Sequence, residues 1–566
     1  MDKCDTMRKT GGTAFTPKLF SILKNGYGLS DFRSDALAGL TVAIVALPLA
    51  MALGIASGAS PDKGLITAVV AGFLISLLGG SRVQVGGPTG AFVVVVFNVI
   101  AQHGYDGLII ATLLAGIILT IAGYARLGQV IKFIPHPVVT GFTAGIAVII
   151  VSSQVKDFLG LRLEEVPADF IPKWAAYFKA FDTVNIATFL IGLGSLAGII
   201  ALRRIAPKAP GYLIAIAIAS VAVALFHIPA DTIGSRFPAI PSGLPMPAVP
   251  ELSYEKFQEV LPSAFIIAFL AGIEALLSAV VADGMTGFKH RSNQELVGQG
   301  VANIASALFG GLPATGAIAR TATNIKAGGK TPVAGIFHAV FLLLFIFFAT
   351  DLMKFVPMAA LAAILFMVAW GMSEAERFIH IFRMSTSDRV VLLLTFFLTV
   401  LVDLTVAIGV GVTLASLLFM ARMSTAVEIS TGISAEANES FKRNGEDDYQ
   451  RAGLPPGVEA FRIAGPLFFG VAGELLETLK RMGQMPKVLI VRMQLVPFLD
   501  VTGASALESL VKQCRTSGTE VIFSAVQKQP AEILSKIHLG PEEILVRYAH
   551  DYMEAIAMAN GMVNRN

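Results

Sequence analysis

A glycine-rich stretch in the apolar part of this chain contains a single arginine. Residues 310–324 read GGLPATGAIARTATN, so Arg320 follows an interruption of an apolar run by proline, threonine and glycine. A weaker echo, GGPTGAF, occupies residues 86–92. Within a lipid bilayer, a broken helix and a lone cation both require a specific role. Two broken helices in corresponding halves of a membrane protein are typical of a transporter's binding site, and Arg320 indicates that the cargo is an anion.

The two interruptions can form an anion site from backbone groups. Pro88 and Pro313 open apolar segments, a position where proline is tolerated and preset for a helix. Half-helices beginning there would meet near the bilayer midplane, where free N–H groups and the positive ends of the helix dipoles favour an anion. Arg320 would add a full charge and paired donors suited to sulfate, carboxylate or bicarbonate. The alternatives are close helix packing at the glycines and a structural pairing of Arg320 with a carboxylate or with carbonyl oxygens.

Glu274 is a lone carboxylate well inside another apolar run, residues 265–278. Burial disfavours the charged form of a carboxylate, whereas a nearby arginine favours it. Glu274 and Arg320 could therefore alternate between a salt bridge and a protonated state that frees the arginine for cargo, which is a device for proton coupling. Ser278, one helical turn further along, could supply an oxygen ligand. The alternative is a static salt bridge between Glu274 and Arg320.

The composition separates a membrane part from a soluble part. Of 566 residues, 54% are hydrophobic and only 15% are charged, against about 25% charged residues in a soluble protein. Long apolar runs extend from residue 37 to residue 420, and mixed-polarity sequence follows residue 422. Because a crossing needs about 20 apolar residues, the candidate spans form two sets of seven. They lie near residues 35–57, 64–79, 87–101, 107–125, 135–155, 185–202 and 211–227, and near 261–281, 296–309, 313–327, 333–350, 356–372, 388–402 and 404–421.

An internal repeat relates the two sets of spans. The offset that separates Thr89 from Thr315 also separates Asp35, at the start of the first span, from Leu261, at the start of the eighth. A half with an odd number of crossings that is repeated once must be inverted in the membrane. Lysine and arginine are more frequent in the loops that lie inside when the N-terminus is cytoplasmic. This bias predicts that both termini are cytoplasmic.

After residue 457 the pattern changes to alternating strands and helices. Strand signals fall near 458–463, 488–492 and 521–523, and helix signals near 472–482 and 502–515, which predicts a small α/β domain. The predicted domains are therefore a cytoplasmic N-terminal segment (1–34), a transmembrane anion-transport domain (35–423), a linker (424–456) and a cytoplasmic α/β domain (457–566).

The sequence excludes several classes of function. We find no nucleophile–base pair, metal-ligand cluster or phosphate-binding glycine loop, so we predict neither an enzyme, nor a metal site, nor a cofactor, nor ATP-driven transport. The basic residues are scattered, which argues against a nucleic-acid partner. The two cysteines, Cys4 and Cys514, imply no disulfide framework. We also expect no cleavable signal peptide, because the first 34 residues are polar and basic.

Four motifs resemble those of the sulfate permease (SulP) family of anion transporters. They are IEALLS with DGMT at residues 273–286, SNQELVGQG at 292–300, FGG at 309–311 and ARTATN at 319–324. The tail, with DVTG at residues 500–503, resembles the STAS domain that ends most members. The resemblance covers nearly the whole chain. It implies an all-α membrane domain of fourteen segments in a 7+7 inverted repeat with two half-helices, a core bundle that moves against a scaffold, and usually a homodimer.

The resemblance places the substrate between the third and tenth segments, with the first and eighth lining it. The family's common glutamine after the first-span proline is Leu49 here, and the serines that often precede the arginine are Ala317 and Ala319. Polar substrate contacts are therefore missing, which leaves backbone N–H groups and Arg320 to hold the anion. The candidate substrate-binding residues are Leu49, Thr89, Gly90, Ala91, Ala317, Ile318, Ala319 and Arg320, and the candidate coupling residues are Glu274 and Ser278.

Further details of the resemblance bear on coupling and regulation. Glutamate rather than aspartate at position 274 is similar to proton-coupled members more than to sodium-coupled bicarbonate members. The stretches 283–287 and 372–375 are most similar to bacterial C4-dicarboxylate transporters of the family. In STAS relatives that antagonise anti-sigma factors, a hydroxyl at the position of Thr502 is phosphorylated, which would suit a cytosolic protein partner. The alternative is that Asp500 or Thr502 only caps the following helix.

We therefore predict a secondary active transporter in the bacterial inner membrane, surrounded by lipid. It would move a small inorganic or dicarboxylate anion (C4-dicarboxylate, sulfate or bicarbonate) by alternating access with proton coupling. Sodium is the alternative coupling ion. An anion channel of the same fold and a membrane-tethered regulator are the alternative functions.

Overall fold

The computed structural model describes residues 15–129, 135–163, 166–167, 169–206, 209–237, 243–251, 253–402, 404–425, 427–431, 454–481, 485–542 and 546–564. The chain divides into two units, Met1–Thr413 and Leu414–Asn566.

Helices dominate the chain as far as residue 425. The first half contains α1 (Lys18–Asn25), α2 (Leu29–Ala56), α3 (Pro61–Leu78), the two-residue strand β1 (Gly86–Gly87), α4 (Gly90–Tyr124), α5 (His136–Leu159), α6 (Phe170–Lys179), α7 (Ile186–Ile205), α8 (Gly211–Phe226) and α9 (Ile233–Arg236). The second half contains α10 (Tyr254–Thr286), α11 (Ser292–Leu308), β2 (Thr315–Gly316), α12 (Ile318–Lys326), α13 (Pro332–Met353), α14 (Met358–Met372), α15 (Ala375–Phe382), α16 (Thr386–Leu401) and α17 (Leu404–Thr425).

These elements form the predicted fourteen segments. Gly104 adopts a left-handed conformation (φ 71°) that breaks α4 into the third and fourth segments. The first seven are thus α2, α3, β1 with the start of α4, the rest of α4, α5, α7 and α8. The second seven are α10, α11, β2 with α12, α13, α14, α16 and α17. Among the described residues, eight helices are long and apolar enough to cross a membrane, and two shorter ones are also apolar. The predicted fold class is confirmed.

Several predicted boundaries are wrong by a turn or more. α2 begins at Leu29 rather than at residue 35, and α10 begins at Tyr254 rather than at residue 261. Both helices start with polar turns, which hydropathy does not detect. The tenth segment, predicted as a helix over 313–327, is helical only from Ile318, because the residues before it form β2.

The membrane helices pack as two bundles. The first bundle consists of α2, α3, α4, α10, α11, α12 and α13, and the second bundle of α5, α7, α8, α14 and α16. The bundles meet where α14 and α5 contact α2 and α4. Small residues allow the helices to approach closely: a Cβ at Gly116 of α4 would lie 2.7 Å from the carbonyl oxygen of Gly300 of α11. The first bundle is therefore built around backbone contacts that larger side chains would prevent.

The second unit contains a five-stranded sheet in the order β3-β4-β5-β6-β7. The strands are β3 (Glu428–Thr431), β4 (Val458–Ala464), β5 (Val488–Leu495), β6 (Glu520–Ser524) and β7 (Arg547–Ala549), and the helices are α18 (Ala472–Arg481), α19 (Val501–Thr516), α20 (Lys528–Lys536) and α21 (Tyr552–Val563). β3 pairs antiparallel with β4, and the other neighbouring pairs are parallel. Apolar clusters cover both faces of the sheet, which confirms the predicted α/β domain.

Two strands of this sheet were not predicted. β3 falls inside the predicted linker, and β7 follows the last of the predicted strand signals. Both are short edge strands whose own sequences carry little strand signal, and their pairing with β4 and β6 stabilises them. Residues 432–453 of the predicted linker, and Cys4, lie outside the described residues, whereas Cys514 is a free cysteine buried in the core of this unit.

Candidate functional site

The two broken segments cross each other inside the first bundle. β1 and β2 pair antiparallel, with Gly86 opposite Gly316 and Gly87 opposite Thr315. The N–H of Ala317 also donates to the carbonyl oxygen of Val85 at 2.9 Å. Each strand leads within a few residues into a helix, α4 from Gly90 and α12 from Ile318. The crossing therefore brings the N-termini of two helices together, as the sequence predicted.

Neither of these helix N-termini is capped by the side chain at its N-cap position. The N-cap residues are Thr89 for α4 and Ala317 for α12, both with extended backbone, and neither side chain accepts a hydrogen bond from its helix. The first N–H groups of a helix have no acceptor within the helix. Together with the helix dipoles, these groups make a site suited to an anion.

The Arg320 side chain is only 2% exposed and is bound to backbone carbonyl oxygens. Its Nη1 donates to the carbonyl oxygen of Gly86 at 3.1 Å, and its Nη2 donates to that of Pro88. Gly87, with φ +144°, makes room for this contact, because a Cβ there would lie 2.1 Å from Nη1 of Arg320. Of the alternatives raised by the sequence, the pairing of Arg320 with carbonyl oxygens is the one observed. Arg320 holds the turn between β1 and α4.

Glu274 of α10 bonds to the other side of the same turn. Its Oε2 accepts a hydrogen bond from the hydroxyl of Thr89 at 2.7 Å. Glu274 and Arg320 form neither a hydrogen bond nor an ion pair within 4.0 Å. The salt bridge considered from the sequence is therefore not formed in this conformation. The Glu274 carboxylate and the Arg320 guanidinium therefore bind the same turn without contacting each other.

Ser278 lies one turn along α10 and is fully buried. Its hydroxyl oxygen is 3.3 Å from that of Thr321 of α12, which in turn accepts a hydrogen bond from the N–H of Val85 at 3.1 Å. Ser278 thus joins α10 to α12 beneath the crossing. The structure does not bring it to the carboxylate of Glu274.

The remaining candidate residues divide by exposure. Ile318 and Ala319 are exposed, and Thr89 and Glu274 are partly exposed. Leu49 is buried on α2 directly after Pro48, and the other buried candidates are Gly90, Ala91 and Ala317. The accessible edge of the site is therefore formed by the N-terminus of α12, together with Thr89 and Glu274.

The second bundle contributes to the site a residue that the sequence did not indicate. Met372, at the end of α14, lies against Gly90, where an added Cβ would be 2.5 Å from the Met372 sulfur. The same added Cβ would lie 3.3 Å from Cδ1 of Ile150 of α5. The resemblance of residues 372–375 to other members of the family did not place Met372 at the site. The N-terminus of α4 therefore lies at the junction between the bundles.

Buried polar side chains hold the backbone around the crossing. Asn303 of α11 both accepts from the N–H and donates to the carbonyl oxygen of Ala314, each at 2.8 Å. The hydroxyl of Thr67 accepts from the N–H of Leu312 at 2.6 Å, and that of Thr315 donates to the carbonyl oxygen of Ala271 at 2.8 Å. In the sequence, these positions stand out only as an amide or a hydroxyl within an apolar span. This is a weak indication of function, because such residues also occur where they only pack between helices.

In the second unit, Asp500 rather than Thr502 caps α19. Its Oδ1 accepts from the N–H of Gly503 at 2.7 Å, and its Oδ2 accepts from that of Phe469 at 3.2 Å. Thr502 is exposed in the first turn. Among the described residues, no group of three or more His, Cys, Asp or Glu side chains could hold a metal ion.

Known proteins resemble this chain over most of its length. The sulfate permease family matches residues 32–395, and the STAS domain matches residues 451–550. The chain is 42% identical to the "Putative sulfate transporter YvdB" of Bacillus subtilis (strain 168), over 92% of this chain and 96% of that protein. It is 32% identical to the bicarbonate transporter BicA of Picosynechococcus sp. (strain ATCC 27264 / PCC 7002 / PR-6), over 91% and 93% of the two chains.

Solved structures resemble it as well. The transmembrane domain of a cyanobacterium bicarbonate transporter BicA is 30% identical and has a TM-score of 0.62, covering 71% of this chain and 100% of that domain. The murine Solute Carrier 26 family member A9 in its inward-facing state has a TM-score of 0.84, covering 99% of this chain and 96% of that protein. At 18% identity, this second likeness concerns the fold alone.

Proposed function

This chain belongs to the sulfate permease family and is a multi-pass membrane protein that transports anions rather than an enzyme; we propose that it is a secondary active transporter that binds its anion at the N-termini of α4 and α12. One observation carries the proposal: two uncapped helix N-termini meet at the crossing of β1 and β2. An anion there would complete N–H groups that have no partner within their helices.

Arg320 supports anion binding through its positive charge, without contacting the anion. Its Nη1 and Nη2 donate to the neutral carbonyl oxygens of Gly86 and Pro88, and no carboxylate contact cancels its charge. In a medium of low dielectric constant, such a charge acts over several ångströms. Arg320 therefore makes the potential at the helix N-termini positive while it holds β1 in place.

Glu274 supplies the coupling group. When it is ionised, its negative charge at the Thr89 hydroxyl opposes an anion at the N-terminus of α4. When it is protonated, that repulsion is removed. An anion and a proton would therefore bind together, which is the requirement for proton-coupled uptake. Sodium remains the alternative ion, and an uncoupled anion channel is the alternative mechanism.

The substrate is a small anion, and three classes fit the site. Relatives are named for sulfate and for bicarbonate transport, and the resemblance of residues 283–287 and 372–375 favours a C4-dicarboxylate. Leu49, Ala317 and Ala319 offer no polar side chain, so recognition would rest on backbone N–H groups and charge. Transport would proceed by alternating access, as the first bundle moves against the second within each member of a homodimer.

Uptake by the purified protein in liposomes tests this proposal. Labelled succinate, sulfate and bicarbonate are offered in turn, under an imposed proton gradient, an imposed sodium gradient or neither. We expect saturable uptake of one of these anions that a proton gradient drives against its concentration. Uptake driven by the sodium gradient would identify sodium as the coupling ion. A large current that depends on neither gradient would identify a channel. Absence of all three transport activities would contradict the proposal.

A further inference from the structure

A groove opens between α7 and α14 of the second bundle, away from the crossing. Its volume is about 520 Å³. The walls are apolar and include Leu196 and Ile200 of α7 and Phe366 of α14. Arg203, Arg204 and Trp370 line the same groove. The arginines lie in the last turn of α7, so the charged part of the groove is at one end of this membrane-spanning helix.

The chemistry of the groove is therefore polarised along the membrane normal. Arg203 and Arg204 are exposed, and in the described part of the chain neither has a carboxylate within 4.0 Å. Trp370 is 69% exposed. The apolar walls continue from these residues into the span.

We propose that this groove binds an anionic glycerophospholipid, with its phosphate on Arg203 and Arg204 and part of an acyl chain between α7 and α14. Basic pockets between transmembrane helices on the cytoplasmic side are suited to such headgroups. The arginines supply paired donors for phosphate oxygens, and the walls supply the surface that an acyl chain covers.

A soluble anion would leave the apolar walls uncovered. A lipid uses both parts of the groove.

The proposal also gives the lipid a connection to the candidate anion site. Trp370 lies two residues before Met372, which packs against Gly90 at the start of α4. A lipid on α14 would therefore hold in place the helix whose end covers that site. Lipid binding itself does not depend on which anion is transported.

Native mass spectrometry of the full-length protein in detergent tests the proposal. The probes are dioleoylphosphatidylglycerol, dioleoylphosphatidylcholine with the same acyl chains, and glycerol 1-phosphate as the headgroup alone. We expect one phosphatidylglycerol to bind per chain at least tenfold more tightly than phosphatidylcholine, because each basic residue contributes about fivefold at a membrane surface. Glycerol 1-phosphate should not compete at similar concentrations.

Two variants and one control locate the site. The double variant Arg203→Gln and Arg204→Gln should lose the preference for phosphatidylglycerol. Ile200→Trp, which fills the groove and keeps both charges, should weaken both lipids. Arg126→Gln, at an exposed arginine just after α4, should change nothing. Equal binding of the two lipids by the wild type, full competition by glycerol 1-phosphate, or an equal loss in Arg126→Gln would overturn the proposal.

Discussion

The N-termini of α4 and α12 in the membrane unit differ from that of α19 in the second unit. At α19 of the second unit, Asp500 occupies the N-cap and its carboxylate accepts from the N–H of Gly503. At α4, the N-cap residue Thr89 has a suitable hydroxyl, but that hydroxyl donates to Glu274. At α12, the N-cap residue is Ala317, which has no polar side chain.

The three helix ends differ in what their first N–H groups bind. A capping side chain stabilises a helix by about 1 kcal/mol, and α19 retains this contribution. The membrane unit forgoes it at two adjacent helix ends, in an environment where unsatisfied backbone groups are costly. What distinguishes the site is that two uncapped helix N-termini meet at one strand crossing, where their N–H groups are left for a ligand.

The largest effect is expected when the charged support of the uncapped site is removed. Arg320→Ala leaves the carbonyl oxygens of Gly86 and Pro88 without their donor and removes the positive charge, so we expect saturable anion uptake to fall at least 100-fold in liposomes. Arg320→Lys keeps the charge but not the paired donors and should retain part of the activity. Normal affinity in Arg320→Ala would eliminate the binding-site model.

A second variant gives α12 an aspartate at its N-cap, as α19 has. Ala317→Asp would place a carboxylate at the N-cap, where it would occupy N–H groups and repel an anion. We expect anion affinity, measured from the concentration dependence of uptake, to fall at least tenfold. The matched neutral variant Ala317→Asn should lose less affinity. If both variants transport normally, the N-terminus of α12 does not bind the anion.

A third variant tests Glu274, the hydrogen-bond partner of the Thr89 hydroxyl. Glu274→Gln mimics the protonated carboxylate, so we expect uptake to persist and to lose its dependence on pH. In the wild type, uptake should decline as pH rises, because the ionised carboxylate opposes the anion. The control is Glu259→Gln, at an exposed glutamate of the same helix. A pH profile of uptake that is the same in Glu274→Gln and wild type would discard the coupling role.

The smallest effect is expected at the capped end. Asp500→Ala removes the N-cap of α19, and we expect a local loss of about 1 kcal/mol in stability, seen as faster hydrogen exchange of the α19 amides in the full-length protein. Anion affinity should not change, and Thr502→Ala should have no effect on exchange. Equal acceleration in the two variants would mean that the cap is not specific to Asp500.

Much of the architecture followed from patterns that are local in the chain. Apolar runs of membrane length gave the segments, and the repeated Gly–Gly and Thr–Gly–Ala motifs identified the two broken ones. The strand signals after residue 457 predicted three of the five strands of the sheet, because central parallel strands are continuous apolar runs. The edge strands β3 and β7 depend on their neighbours, so the sequence pattern did not reveal them.

What the sequence determined by itself was the set of groups available to the site: an arginine, a glutamate and two interrupted helices within apolar runs. Lipid excludes such groups unless they have a role, so their presence is informative without coordinates. What only the tertiary structure decided was their partners: Arg320 with the carbonyl oxygens of Gly86 and Pro88, and Glu274 with Thr89. These pairs join residues far apart in the chain, and the direction of each side chain is set by how the first bundle packs rather than by its neighbours in sequence.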